Sequence, residues 1–343
     1  MPICKALENQ VHVTIDGYYK PCCAFDFESK QYPITEYTPQ QYLESDYIHG
    51  IKNTMLSGWH PGCKSCELNE ANNNQSMRHT VNFLCRKYDD IQMLDLNLNN
   101  HCNLSCRMCN SLSSSKWEEL LGYTNNNYND FSSIVKHLPK LNHIKYQGGE
   151  PFITKEIHQV LNYVADKQCH FSFSTNCTLF PTKYIHLLDR AASLFATFSI
   201  DGIGLTNDYI RHGKTWTTID AVFKKWMQYF EENKIKGVRS VNTVVQAYNF
   251  HDLQNIKNYL NDYKVKWNGL LINDIPEFSI NALPQQYIER VKNKTNETFL
   301  EGYKFNYKLY KKLKQKTIEQ DNILNNNIKN YNPLLYQVFN EID

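Results

Sequence analysis

Between residues 90 and 272 the sequence alternates short β-like runs with segments whose apolar residues recur at helical spacing. This alternation is typical of βαβ units and predicts an α/β fold built on a parallel sheet. Six strands are too few to close the usual eight-stranded barrel, so we expect an open, partial (β/α)6 barrel with its site at the carboxyl ends of the strands. The predicted strands are Gln92–Leu98, His143–Tyr146, His170–Ser174, Ala196–Ile200, Ser240–Gln246 and Trp267–Ile272.

Two different segments flank this alternating pattern. Near the start, Asp16 and Gly17 separate two alternating runs, Val11–Ile15 and Tyr18–Lys20, which predicts a β-hairpin. From about residue 284 the chain has a helical pattern rich in lysine, which is typical of a solvated helix face. The sequence therefore predicts three parts: a small cysteine-rich module at 1–89, the partial barrel at 90–280 and a helical C-terminal extension at 281–343.

Charge and hydropathy exclude some classes of partner. The formal net charge of the 343 residues is only +2, which gives no support to binding of nucleic acid or of an anionic membrane surface. No segment has the ~18 uninterrupted apolar residues of a membrane helix, and the first residues lack the apolar core of a signal peptide. These features predict a cytoplasmic protein.

Eleven cysteines are unusual in such a chain, and most of them cluster in the first third. Cytosolic thiols stay reduced, so a disulfide framework is not expected and metal ligation becomes the leading explanation. Cys85, Cys169 and Cys177 are scattered among apolar or strand-like residues. The clustered cysteines are Cys4, Cys22, Cys23, Cys63, Cys66, Cys102, Cys106 and Cys109.

Cys102, Cys106 and Cys109 follow the first predicted barrel strand on one short loop. A cubane iron–sulfur cluster has four irons, so three cysteines leave one iron open for a substrate. A structural zinc site and three incidental thiols are the alternatives. Zinc sites prefer four protein ligands in two close pairs, which a triplet without an obvious fourth partner does not supply.

The C-x3-C-x2-C spacing and its context, Cys-Asn-Leu-Ser-Cys-Arg-Met-Cys, closely resemble the radical S-adenosylmethionine (SAM) superfamily. The resemblance implies that Cys102, Cys106 and Cys109 hold a [4Fe–4S] cluster whose open iron binds the amino and carboxylate groups of SAM. It also implies one-electron cleavage of the sulfonium, which gives a 5′-deoxyadenosyl radical that takes a hydrogen atom from the substrate.

After the second predicted strand comes a segment similar to the GGEP motif of this family, Gly148, Gly149, Glu150 and Pro151. Glycines without a Cβ allow backbone groups to approach the amino acid part of SAM, and a carboxylate or carbonyl can receive its ammonium group. Alone, such a segment is an ordinary turn. Its place one βα unit after the cysteines favours the SAM contact.

The third predicted strand ends in Ser174, Thr175 and Asn176, which resemble a family segment that contacts SAM. Short polar side chains can bond the ribose hydroxyls or the carboxylate of SAM. Cys177 stands where glycine is common in the family, so either the backbone there avoids positive φ or the loop differs. Cys177 is also a candidate catalytic hydrogen donor, the alternative being a small buried residue.

Three further segments resemble family contacts. The fourth predicted strand ends in a sequence like the family's S-x-D-G, and an arginine follows where relatives place one near the SAM carboxylate. The fifth predicted strand could put a polar residue at the barrel mouth and an apolar one beside the adenine. The residues concerned are Ser199, Asp201, Arg211, Asn242 and Val244.

The cysteines of residues 1–89 resemble the SPASM and twitch auxiliary-cluster modules of radical SAM enzymes, here placed before the barrel. The resemblance implies a second iron–sulfur cluster; with the barrel motifs it covers about residues 1–275. Four thiolates also satisfy zinc, which remains the alternative. The implied ligands are Cys4, Cys22, Cys63 and Cys66, with Cys23 as the alternative to Cys22.

The function that the resemblance implies is a radical SAM oxidoreductase or maturase acting on a peptide or protein, with a flavodoxin or ferredoxin as electron donor. The substrate class is an analogy with enzymes that carry such modules. A small-molecule substrate, such as a sugar or nucleoside, is the alternative within the enzyme class. The alternative outside that class is a non-catalytic zinc or iron–sulfur binding module.

Overall fold

The computed structural model describes residues 2–26, 31–71, 75–85, 90–123, 130–233, 235–272 and 274–342. In these ranges the chain has an α/β fold with an eight-stranded, mostly parallel sheet and a helical C-terminal region. The strand order is β2-β1-β3-β4-β5-β6-β7-β8. The strands are β1 Gln10–Val13, β2 Tyr19–Lys20, β3 Met93–Asn97, β4 His143–Gln147, β5 His170–Thr175, β6 Ser193–Ser199, β7 Gly237–Val245 and β8 Lys266–Leu271.

Helices separate the strands of the predicted barrel, as the alternating pattern indicates. Several end on residues that stop a helix, such as Gly122, which takes the left-handed conformation after α6. The helices are α1 Ala6–Asn9, α2 Pro39–Leu43, α3 Asp46–Ser57, α4 Lys64–Ala71, α5 Met77–Cys85, α6 Ser115–Leu121, α7 Phe131–Val135, α8 Ile157–Lys167, α9 Ile185–Leu188, α10 Leu205–Ile210, α11 Trp216–Glu232, α12 Leu253–Leu260, α13 Gln285–Val291, α14 Tyr307–Leu324, α15 Ile328–Tyr331 and α16 Pro333–Glu341.

The predicted α/β fold is confirmed, and β3 to β8 coincide with the six predicted strands to within three residues at each end. The predicted hairpin also forms: β1 and β2 are antiparallel, and Gly17 has φ of +79° in the turn between them. The sequence did not predict a second pairing of its first strand: β1 also pairs in parallel with β3. The hairpin therefore extends the main sheet.

Contacts divide the chain into two compact units. The first unit comprises residues 1–101, 125–173 and 181–195, and the second comprises 102–124, 174–180 and 196–343. These boundaries cut across the division into 1–89, 90–280 and 281–343, which stays a prediction; residues 86–89, at its first boundary, lie outside the described ranges.

In the first unit, alternate residues of the strands separate an apolar from a polar face of the sheet. Val11, Leu94 and Ile144 are buried neighbours on one face. His12 and Asp95 are paired on the opposite face. Because side chains alternate along a strand, this register fixes which residues meet.

In the second unit, α11 buries one apolar stripe that includes Phe223 and Trp226. Strands β7 and β8 are parallel, with Asn242 opposite Asn268. The long helix α14 buries Tyr310, Leu313 and other residues at helical spacing and leaves its lysines outward. None of the described helices has both the length and the apolar character needed to cross a membrane.

Candidate active site

The loop that carries Cys102, Cys106 and Cys109 connects β3 to α6 and is held by side chains at the start of α6. The Ser115 hydroxyl accepts a hydrogen bond from the Cys102 amide at 3.1 Å, and the Trp117 indole donates to the Cys106 carbonyl at 2.8 Å. These bonds fasten the backbone of the loop and leave its sulfur atoms as candidate ligands.

The three thiols lie together on this loop. Cys106 is buried, whereas Cys102 and Cys109 are half-buried. A hydrogen bond between the Cys106 and Cys109 side chains raises the pKa of Cys106 and lowers that of Cys109, and the charge of Cys102 also acts on Cys109. The loop therefore gathers the three thiols that are predicted to hold a cluster with one open iron.

The segment after β5 contacts this loop within the second unit. The Asn176 amide nitrogen donates to Asn103 Oδ1 at 3.0 Å and lies 3.7 Å from Cys102 Sγ. The Asn103 amide donates to Thr178 Oγ1 at 2.8 Å. Ser174 is exposed and Thr175 is buried. Of the predicted SAM contacts in this segment, the structure thus brings Asn176 close to Cys102, a predicted cluster ligand.

Cys177 has φ of +58°, the left-handed conformation that favours glycine. The possibility that the backbone avoids positive φ at this position is therefore wrong. Its side chain is buried, and its amide donates to Thr175 Oγ1 at 3.2 Å. A cysteine here costs about 1–2 kcal/mol of backbone strain that glycine would avoid.

Asp201 and Arg211 form a buried ion pair in the second unit. Asp201 Oδ1 also accepts from the Val244 amide at 2.7 Å. Burial lowers the pKa of Arg211, but the charges of Cys106 and Asp201 outweigh burial and raise it. Arg211 Nε is buried and has no hydrogen-bond partner in the described part of the chain. Such a donor fits an anionic ligand, because an unpaired buried polar group is costly.

The other two predicted contacts, Ser199 and Asn242, lie on neighbouring strands. Asn242 accepts a backbone hydrogen bond from Ile200 at 3.1 Å, and its side-chain oxygen accepts from Asn268 at 3.0 Å. Ser199 is half-buried at the end of β6. Asn242 is therefore turned toward β8, while the Val244 backbone supports Asp201.

The Gly-Gly-Glu-Pro segment lies in the first unit and packs on the residues just before Cys102. Gly148 has φ of +89° and Gly149 φ of +34°. A Cβ at Gly148 would lie 2.6 Å from the Asn99 carbonyl oxygen, and a Cβ at Gly149 would overlap the His101 carbonyl oxygen. Both glycines are thus required by close contact with the chain itself. Glu150 is fully buried, and its amide donates to His101 O at 2.6 Å.

The four cysteines predicted to form a second metal site line one cavity in the first unit. Burial raises the pKa of Cys4 to about 11 and that of Cys63 to about 12, and the charges of the other cysteines add to both shifts. The lining includes Cys4, Cys22, Cys63 and Cys66 together with Arg78.

The polypeptide around this cavity is tightly packed. The ring of Phe25 leaves no room for a Cβ at Gly62, which would lie 2.6 Å from it. The Asp26 amide donates to the Gly62 carbonyl at 2.8 Å. These contacts bring the segment after Cys22 against the turn that carries Cys63. Arg78 is held by Glu70 at 2.9 Å and places a cation beside the thiols.

Both cysteine sets offer the sulfur donors that iron–sulfur clusters use. In the described ranges, no three His, Cys, Asp or Glu side chains come close enough to hold a single metal ion. A cubane cluster does not require that closeness, since each thiolate binds a different iron. The donor sets thus fit a three-cysteine and a four-cysteine cluster.

A row of polar residues on the sheet of the first unit was not predicted from the sequence. Lys145 donates to Asp95 Oδ2 at 3.3 Å and to Cys23 Sγ at 3.2 Å, and Gln147 donates to Asp95 Oδ1 at 2.6 Å. Burial raises the pKa of Asp95, but Lys145 and His12 outweigh it and hold that pKa well below its usual range. A charged residue in the middle of a buried strand was the available signal.

Along the chain, the cysteine loop follows β3, the glycines follow β4, the Ser-Thr-Asn segment ends β5 and the S-x-D-G segment ends β6. No model of a known protein family matches the sequence. Fe-coproporphyrin III synthase of Methanosarcina barkeri (strain Fusaro / DSM 804) is 26% identical over 179 residues, which are 49% of this chain and 41% of that protein. The match supports the predicted resemblance to the radical SAM superfamily.

Solved structures are also similar to parts of the chain. Native anSMEcpe with bound AdoMet is 16% identical with a TM-score of 0.44 and covers 63% of each chain. SuiB of Streptococcus suis, bound to precursor peptide SuiA, is 14% identical with a TM-score of 0.40 and covers 67% of this chain and 46% of SuiB. The chain therefore spans less than two thirds of the length of each of these relatives.

Proposed function

We propose that this chain cleaves SAM reductively and that the resulting 5′-deoxyadenosyl radical abstracts hydrogen from a peptide or protein substrate. The observation that carries the proposal is the loop that gathers Cys102, Cys106 and Cys109 within reach of the Asn176 amide and the charge of Arg211. A bound [4Fe–4S] cluster supplies one electron to the sulfonium, received from a flavodoxin or ferredoxin.

The chain's own residues bind and orient SAM in this proposal. Arg211, held by Asp201, offers its unpartnered Nε to the SAM carboxylate. Asn176 and Thr175, with Ser174 and Ser199, provide hydrogen bonds for the ribose or the carboxylate. Gly148, Gly149, Glu150 and Pro151 receive the SAM ammonium, and Asn242 and Val244 flank the adenine.

Anaerobic reconstitution with iron and sulfide, followed by dithionite and SAM, tests the cleavage. Wild type should release 5′-deoxyadenosine, detected by mass spectrometry, and the triple variant Cys102→Ala, Cys106→Ala, Cys109→Ala should release none. The matched control is Cys85→Ala with Cys169→Ala, because both are buried cysteines outside the two candidate metal sites. Cleavage at wild-type rate by the triple variant would contradict the proposal.

We propose that Cys4, Cys22, Cys63 and Cys66 hold a second cluster with a complete set of ligands. Cys22 lines the shared cavity, whereas Cys23 contacts Lys145, which favours Cys22 as the ligand. If both clusters are [4Fe–4S], the reconstituted wild type should carry roughly eight irons and the triple variant about half. Adding Cys63→Ala and Cys66→Ala should remove the rest. One zinc and no iron in the triple variant would support the zinc alternative.

The peptide or protein substrate rests on the resemblance of the first ninety residues to auxiliary-cluster modules. SuiB is bound to precursor peptide SuiA, and anSMEcpe has been solved with a Kp18Cys peptide. The name of the curated relative denotes synthesis of a porphyrin, which keeps a small-molecule substrate as the second candidate.

Fractions of an extract from the source organism distinguish the two substrate classes. A peptide substrate predicts that the macromolecular fraction stimulates 5′-deoxyadenosine release and that protease treatment of this fraction abolishes the stimulation. Stimulation by the ultrafiltrate of small molecules alone would favour the second candidate.

A further inference from the structure

Arg107 lies between Cys106 and Cys109 in the sequence, and its cation is almost fully buried, with 1% of the residue exposed. Its Nε donates to the Tyr209 carbonyl at 2.9 Å, and its guanidinium lies 3.5 Å from the centre of the Tyr209 ring. A positive charge is therefore fixed inside the loop that carries the three cysteines.

The counter-ion of Arg107 comes from the C-terminal helix α14. Asp321 Oδ1 lies 2.5 Å from the Arg107 guanidinium and also accepts from the Tyr209 hydroxyl at 2.9 Å. On the same helix, the Gln320 amide donates to the Arg107 carbonyl at 2.9 Å. Helix α14 thus binds both the side chain and the backbone of the cysteine loop.

The last residue of α10 and the segment after it bind the backbone of the same loop. The Arg107 amide donates to the Ile210 carbonyl at 2.9 Å, and the Ser105 amide donates to the His212 carbonyl at 2.9 Å. Asp321 has a further fixed contact, because its Oδ2 accepts from the Ile328 amide at 2.7 Å. Further hydrogen bonds therefore hold each partner of the ion pair in place, and neither partner is a sulfur ligand.

Stability alone is a weak explanation for such a pair, because apolar side chains of similar volume often replace a buried ion pair without loss. Net charge and hydrogen bonding near a cluster, in contrast, set its reduction potential. We propose that Arg107 and Asp321 are positioning residues that orient the cysteine loop and set the potential of its cluster through a balanced pair of charges. This inference rests on the proposed function, since it requires a cluster on Cys102, Cys106 and Cys109.

The test is a redox titration of the reconstituted full-length protein. Electron paramagnetic resonance monitors the titration through the signal that changes when SAM is added. Asp321→Asn keeps an acceptor oxygen but leaves the Arg107 charge unbalanced, so the midpoint potential should become more positive. Arg107→Met leaves the Asp321 charge unbalanced, so the potential should become more negative. The double variant Arg107→Met with Asp321→Leu should return toward wild type.

Glu319→Gln is the matched control, because Glu319 is on the same helix, is exposed and accepts hydrogen bonds from Gln315 and Lys316 at the surface. It should not change the potential. Loss of this cluster from Asp321→Asn, with unchanged far-UV circular dichroism, would also support the positioning role. If either single variant fails to fold, the remaining variant and the double variant still decide the sign of the shift.

The proposal is overturned if loaded Asp321→Asn and Arg107→Met keep the wild-type potential or shift it in the same direction. Failure of the proposed function is distinguishable, because the wild type would then show no signal that responds to SAM.

Discussion

Gly149→Ala should destabilise the protein through a collision with backbone atoms. The added Cβ would overlap the His101 carbonyl oxygen, lie 2.5 Å from the His101 carbonyl carbon and lie 2.9 Å from the Asn100 carbonyl carbon. Backbone atoms cannot rotate away as a side-chain terminus can. The same His101 oxygen accepts the 2.6 Å hydrogen bond from the Glu150 amide, so a shift of either segment strains that bond.

The magnitude has two parts. Gly149 has φ of +34°, and a left-handed residue with a Cβ costs about 1–2 kcal/mol. Overpacking of a rigid site costs about 1–3 kcal/mol more, so the free energy of unfolding should fall by about 2–5 kcal/mol. Gly122→Ala is the matched control, because Gly122 has φ of +70° and no atom within 4 Å of the added Cβ. The free energy of unfolding of Gly122→Ala should fall only by the cost of the left-handed conformation, about 1–2 kcal/mol.

Urea unfolding under anaerobic conditions, followed by far-UV circular dichroism, measures both variants. Equal losses for Gly149→Ala and Gly122→Ala would refute the collision argument. Equilibrium titration with SAM gives an independent readout, since the resemblance to the GGEP motif predicts weaker SAM binding by Gly149→Ala and unchanged binding by Gly122→Ala. Normal SAM binding by Gly149→Ala with its cluster loaded would make the segment an ordinary turn.

Three further predictions follow from the site. Asp95→Asn should lower the free energy of unfolding at pH 7 by about 3 kcal/mol, because it leaves the Lys145 charge without its buried partner. The depressed pKa of Asp95 stabilises the fold above the unfolded-state value of about 4 and loses this effect as the pH falls, so acid titrations should show a steeper loss for wild type than for Asp95→Asn. Cys177→Gly should be more stable than Cys177→Ala by about 1 kcal/mol, measured by urea unfolding, because only glycine relieves the positive φ; equal stabilities would contradict this. Arg211→Met should weaken SAM binding by about tenfold or more in equilibrium titration, since a charge-assisted hydrogen bond contributes about 1.5–3 kcal/mol; unchanged binding would remove Arg211 from the SAM site.

The sequence predicted the strands well because each one is specified locally. A run such as His143–Tyr146 has strand-forming residues bounded by polar turns, and β4 ends only one residue later. The hairpin was equally predictable from Asp16 and Gly17. Its parallel pairing with β3 was not, because it joins Val11 to Leu94 across a long separation that no local pattern encodes.

The two faces of helix α14 also show that local patterns do not predict long-range contacts. Its lysines predicted a solvated face, and Lys311 and Lys312 are exposed. The opposite face carries Gln320 and Asp321, whose partner Arg107 lies more than two hundred residues earlier. Helical spacing predicts that such residues are buried, but it cannot predict what they contact, so the link between this helix and the cysteine loop required the structure.

The candidate SAM contacts illustrate why a motif gives a residue's position more readily than its role. The resemblance predicted Asp201 as a contact of the ribose or the substrate and Arg211 as a neighbour of the SAM carboxylate. In the structure the Asp201 carboxylate binds Arg211 and the Val244 amide, whereas Arg211 keeps a buried Nε without a partner in the described residues. An acidic residue that orients an arginine and one that binds a ligand both occupy the end of a strand and both need a carboxylate. Only the hydrogen bonds distinguish them, and they favour Asp201 as the support and Arg211 as the ligand contact.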